Sequence, residues 1–185
     1  MFRAGAGRLC LDFVRTLRGR GTSSMTEELP DAAALTAWLR QCGPVEMPGR
    51  AAGARAGQAV QARELREAIH RLLVDGARGC GRAARETINR AAAHPVSVPR
   101  IDARGRVRWV AEDPVAATFA LLARDALDLV VSGDVARVRE CADPGCGALF
   151  FDSSRPGRRR WCSMNVCGNK AKKSALREKA AQISL

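Results

Sequence analysis

Apolar residues recur along this chain with two periods. Leu9, Phe13 and Leu17 share one helical face and predict a short first helix. Asp31, followed by Leu35, Trp38 and Leu39, predicts a capped helix that ends near Cys42. From Gln58 to about Ala77, Val60, Leu65, Ile69, Leu72 and Leu73 alternate with Arg and Glu at helical spacing, a strong amphipathic pattern. A weaker helical pattern covers Arg82 to Ala93 and stops at Pro95. The period then shortens. Val96, Val98 and Ile101, the turn Asp102-Ala103-Arg104-Gly105, and Val107 and Trp109 predict a β-hairpin. Asp113-Pro114 places a capping residue before Pro at the first helical position, and a helix follows through Phe119, Leu122, Ala126, Leu129 and Val130 to a stop at Gly133. Residues 19–30 are polar and contain Gly, and Gly43 to Gly57 contains Pro and Gly; both predict loops.

Beyond Gly133 the pattern becomes local. Val135 to Glu140 reads as a short extended segment that links two parts of the chain. Leu149-Phe150-Phe151 reads as a strand, Asp152 to Gly157 as a turn, and Arg158 to Trp161 as the returning strand. Ser163 is placed to cap a helix that holds Cys167 in its first turns and continues to about Ile183. On that helix Leu176, Ala180 and Ile183 form an apolar stripe, and Lys170, Lys173 and Arg177 a basic one. Knuckle, hairpin and helix in this order predict a small treble-clef-like zinc finger. The expected class is α+β, mainly α: a helical domain with a β-hairpin over residues 1–134, then the finger over 135–185.

Composition agrees with such a core. The 185 residues are 46% apolar with no Tyr and few aromatics, so Ala, Leu and Val must fill the interior, which favours helices. The start lacks a continuous apolar stretch before a small-residue cleavage site, and the longest apolar-rich segment, Pro114 to Val131, is broken by Arg124, Asp125 and Asp128. No membrane association and a cytoplasmic location are expected. Thiols in that compartment stay reduced, so paired cysteines point to metal before disulfides.

Four cysteines carry that chemistry. Cys141 and Cys146 form one Cys-x4-Cys pair, Cys162 and Cys167 a second. Each pair can bring two thiolates to one zinc ion, at about 2.3 Å, and the spacer returns the second pair. Four protein ligands close the sphere, so one structural Zn2+ per chain is expected rather than a catalytic one. Cys10, Cys42 and Cys80 match no ligand spacing and read as small buried residues. His70 and His94 show no nucleophile or carboxylate partner, the Gly-x-Gly fragments are incomplete, and no enzyme signature is present.

Charge changes the picture further. The formal net charge is +12, and residues 137–185 hold eleven Lys/Arg against four Asp/Glu, a net of +7. Eight cations lie within residues 158–179 against one acid, Glu178. Clustering of this kind points to a polyanion, because Lys and Arg displace counterions condensed on phosphate. The candidate nucleic-acid contacts are Arg158, Arg159 and Arg160, then Asn169, Lys170, Lys173 and Arg177. Asn169 has an alternative role as a brace of the metal loop.

At these residues the chain resembles a known family. Cys141 to Arg177 is similar to the CGNR zinc finger. The stretches that carry the likeness are Leu149-Phe150-Phe151-Asp152 with Ser153-Ser154-Arg155, Arg159-Arg160-Trp161-Cys162-Ser163-Met164, and Cys167-Gly168-Asn169-Lys170. Lys170 stands where the family name has Arg, which keeps the charge and loses the bidentate fork. Upstream, Leu11-Asp12-Phe13-Val14-Arg15-Thr16 resembles the opening of the ABATE domain, with Arg15 in place of Asn. The resemblance implies a bacterial transcription regulator, stress- or ligand-responsive. Two readings follow. In the first, the finger binds DNA while the helical domain senses a small-molecule effector or pairs two chains as a homodimer. In the second, a zinc-stabilised finger docks a protein or RNA. A third, weaker one is redox sensing through oxidation of zinc thiolates.

Overall fold

The computed structural model describes residues 1–47, 49 and 53–183, with side chains described as far as 177. Helices dominate: α1 (Leu9–Val14), α2 (Ala32–Cys42), α3 (Ala56–Gly79), α4 (Arg82–Ala92), α5 (Pro114–Val131) and α6 (Asn169–Ile183). Among the described residues, six short strands pair as three antiparallel hairpins. These are β1 (Leu17–Arg18) with β2 (Thr26–Glu27), β3 (Val98–Ile101) with β4 (Val107–Val110), and β5 (Val138–Glu140) with β6 (Leu149–Phe151).

Two of the caps the sequence calls for form as expected. Asp31 accepts from Ala34 N at 2.8 Å, and Asp113 accepts from Val115 N and Ala116 N at 3.0 Å, with Pro114 at the first helical position. Each cap contributes about 1 kcal/mol. The long α3 changes direction at Gly76, whose φ of +74° no ordinary helical residue adopts. After α5, Gly133 is left-handed and ends the helix as expected.

Packing follows the periodic faces. Leu11 and Phe13 of α1, Trp38 and Leu39 of α2, Leu65 and Ile69 of α3, and Leu122 and Leu129 of α5 are essentially excluded from solvent. Phe13 and Trp38 meet with ring centroids 5.1 Å apart. Fully burying side chains of this size contributes about 1.5–3 kcal/mol each. Cys10 and Cys80 are buried and Cys42 half-buried, as small apolar residues should be. A charged network closes the open side of the core. Arg66, 2% exposed, grips Glu27 through two bonds of 2.6 Å and reaches Glu67 at 2.9 Å, and Glu67 in turn holds Arg20 at 2.6 and 3.0 Å.

Several expectations need correction. The segment 19–30 is not simply a loop, since its far end pairs with β1; a two-residue ladder leaves no periodic trace. Gly57 lies inside α3 rather than in the preceding loop, part of which (48 and 50–52) lies outside the described residues. The segment before Cys141 is extended only in its second half. It forms a 3-10 turn at Asp134–Arg137 and then β5. That strand pairs with β6, whereas the stretch expected to return as a strand, Arg158 to Trp161, is irregular. Leu176 is 67% exposed, and the other members of its stripe, Ala180 and Ile183, lie outside the described side chains.

Candidate metal centre

The finger begins with β5, which delivers Cys141. The next residues form a knuckle. Asp143 O accepts from Cys146 N at 2.9 Å, the Asp143 carboxylate accepts from Gly145 N at 3.1 Å, and Ala148 O accepts from Cys141 N at 2.9 Å. Gly147 takes φ +58°, and a Cβ there would lie 2.5 Å from the carbonyl oxygen of Arg20. Only glycine allows the knuckle to sit this close to the loop after β1.

Cys162 arrives through hydrogen bonds rather than a strand ladder. Asp152, fully buried, accepts from Ser154 N at 3.0 Å, Ser154 Oγ at 2.6 Å and Arg159 N at 2.9 Å. The Ser154 hydroxyl is the main influence holding its carboxyl below the usual range. Arg159 lies over the Phe150 ring at 4.8 Å and donates to Trp161 O and Cys162 O. Arg137 donates to Asp152 O and Ser154 O, and Arg139 to Gly157 O. Cys167 sits in a π-turn, Met164–Gly168, that runs directly into α6. Ser163 precedes it but makes no side-chain cap.

The four sulfurs of Cys141, Cys146, Cys162 and Cys167 converge, all within 4.8 Å of one another. Cys146 Sγ and Cys162 Sγ are 3.6 Å apart, and Cys162 Sγ and Cys167 Sγ 3.7 Å. A tetrahedral zinc site with bonds of about 2.3 Å places its sulfurs about 3.8 Å apart, so the set fits one zinc ion. Sulfurs this close cannot all carry charge without a cation among them. The hydrogen bond to Cys162 pulls the Cys146 thiol down to about 5 and pushes that of Cys162 up, while burial takes Cys167 up to about 12.

The N-terminal domain reaches the centre directly. Arg15, 8% exposed, donates to Cys162 Sγ at 3.8 Å and lies 3.8 Å from Asp12. Asp12 accepts from Gly5 N and Ala6 N, Ala6 O accepts from Phe151 N at 2.7 Å, and a Cβ on Gly7 would touch the Phe151 Cβ at 3.0 Å. The sequence left open which role Asp12 and Arg15 play; they stood out as a polar pair in the Leu11–Thr16 stretch that resembles the ABATE opening.

The predicted nucleic-acid contacts separate into two groups. Arg158, Asn169, Lys173 and Arg177 are exposed, as is Arg160, whose guanidinium stacks on Trp161 at 5.0 Å. Arg159 is spent on internal bonds, and Lys170, though exposed, is paired with Asp143 at 3.0 and 3.1 Å. Asn169 donates to Asn165 O at 3.2 Å, a local brace that leaves its side chain exposed.

Fold and site together define a zinc-finger protein: a mainly helical domain carrying a four-cysteine centre at its C-terminal side. The ABATE family model, described as a putative stress-induced transcription regulator, matches residues 7–133, and the CGNR zinc-finger model matches residues 137–180. The chain belongs to the ABATE family and carries a CGNR zinc finger. These are regulator and zinc-finger families rather than enzyme families. No curated protein gives a significant match. No described helix is long and apolar enough to cross a membrane.

Proposed function

We propose that this chain is a DNA-binding transcription regulator of the cytoplasm, with residues 135–185 as the binding module and one structural zinc held by Cys141, Cys146, Cys162 and Cys167. One observation carries the proposal. Asn169, Lys173 and Arg177 line an open groove of about 540 Å³ along α6, directly after the last zinc ligand. The metal fixes the start of this helix, so its cations meet a duplex without first having to be ordered. Lys173 and Arg177 contact phosphate, with Arg158 and Arg160 adding charge from the preceding loop. Asn169 is the candidate base reader, since an Asn can pair bidentately with adenine. Its activity is binding, with no catalytic step.

The helical domain supplies the regulatory input. A cleft of about 610 Å³ between α3, α4 and the start of α5, lined by Gln58, Gln61, Thr87, Arg90, His94 and Phe119, is the place to seek a small-molecule effector. Pairing of two chains as a homodimer is the other role assigned to this domain.

Titration of Lys173→Ala on selected and random duplexes at several salt concentrations tests the reading. Binding should weaken on all sequences, and the salt slope should fall by about 1. Asn169→Ala should relax preference at one base by about 1–3 kcal/mol. Unchanged affinity in both variants would favour the docking of a protein instead, and preference for single-stranded RNA would favour that partner.

A further inference from the structure

The surface around the π-turn is not made by the finger alone. Three concave regions, of about 350, 360 and 540 Å³, meet at Val166, which lines all of them. Arg3 lines the first two and Arg18 the first, both from the N-terminal domain; Lys173 and Arg177 line the third. Asp143 is the one acid among the described lining residues, and Lys170 already neutralises it. At the meeting point Met164 and Val166 are 51% and 44% exposed.

Two features keep this surface positive. Arg18 pairs with Glu28 at 3.2 Å while remaining 43% exposed, a surface ion pair of little strength that leaves the guanidinium able to turn. Arg15 lies beneath, against Cys162 Sγ. A zinc tetrathiolate carries net negative charge that would repel a phosphate, and the buried guanidinium offsets it from within.

We propose that the nucleic-acid face is composite: Arg3 and Arg18 of the N-terminal domain hold duplex phosphates across the zinc centre from Lys173 and Arg177, with the backbone passing over the Met164–Val166 turn. This rests on the DNA-binding function proposed above and adds the helical domain to the contact. Cations spread along open clefts rather than gathered in one closed pocket suit an extended polyanion, and the duplex DNA of the proposed function is the occupant to which the inference commits. Any signal that shifts the N-terminal segment would then act on DNA affinity directly.

The test uses the full zinc-loaded chain and fluorescence anisotropy on a short random duplex across a salt series. Arg3→Ala and Arg18→Ala should each weaken binding by about 3- to 10-fold and lower the salt slope by about 1, as Lys173→Ala does. Arg3→Lys should restore the slope. Arg85→Ala, an exposed cation on α4, serves as the control for net charge alone and should change neither. Zinc content and melting temperature of each variant should equal those of the parent. If Lys173→Ala lowers the slope while Arg3→Ala and Arg18→Ala do not, the composite face is overturned and the finger binds alone. If none of the three changes the slope, the DNA-binding function falls with it.

Discussion

The helical domain and the finger are stabilised by different means. In the first, large apolar side chains from α1, α2, α3 and α5 share one interior, and charged groups close its edge. In the second, Phe150 is the one large apolar side chain fully buried among the described residues, and with Leu149 and the cysteines it joins the edge of that same interior rather than forming a core of its own. A stretch this poor in apolar residues cannot fold by burial alone. Metal, the buried Asp152 and three arginines replace the missing core. The comparison teaches that a high arginine count has two meanings in one small module: Arg137, Arg139 and Arg159 hold the loop together, while Arg158, Arg160, Lys173 and Arg177 face solvent.

Zinc removal should separate the two regions most strongly. Metal contributes roughly 10–16 kcal/mol of apparent free energy in finger peptides. Chelation, or Cys162→Ser, should therefore unfold residues 138–177 while the helical signal in circular dichroism largely remains. Elemental analysis should find close to one zinc in the parent and little in the variant. A single melt that chelator does not shift would break the comparison.

The reverse experiment acts on the helical core. Phe13→Ala removes a fully buried ring and should cost about 3–5 kcal/mol. Calorimetry should show the helical transition lowered while zinc stoichiometry stays at one.

Gly147→Ala strikes the seam between the regions. The added Cβ meets the Arg20 carbonyl oxygen at 2.5 Å, in a left-handed conformation. Overpacking and backbone strain together should cost about 3 kcal/mol. Amide exchange should accelerate on both sides of the seam, in β1 and in the knuckle. Acceleration confined to the knuckle would mean that the regions are stabilised independently.

Arg15→Ala should act more gently, through the thiolate it contacts. Loss of an outer hydrogen-bonding partner typically lowers metal affinity by about 10-fold or somewhat more. Competition with a chromogenic chelator measures this, and Arg15→Lys should recover part of the loss. Equal affinity in all three proteins would remove Arg15 from the support of the centre.

Much of this was legible in the residues. The helices α2, α3, α4 and α5 follow from apolar period and caps, because each needs only neighbours in sequence. The four ligands follow from paired spacing in the same way. What could not be read depends on contacts between segments separated along the chain: β5 pairing with β6, Lys170 tied to Asp143, and Arg15 lying on a sulfur more than a hundred residues later. A basic stripe gives the sign of a surface and not which cations are already engaged.

The hydrogen bond from Phe151 N to Ala6 O joins segments separated by most of the chain. It sets an order of events during synthesis. The cysteine pairs emerge from the ribosome well after the segment they dock on, so that contact closes only once both are made. A fragment cut at residue 135 would carry every zinc ligand yet lack the Ala6 carbonyl and the Arg15 guanidinium. Genetic dissection of the protein into two halves should therefore yield a metal-binding piece that is structurally incomplete, and its behaviour would not be that of the finger in the intact chain.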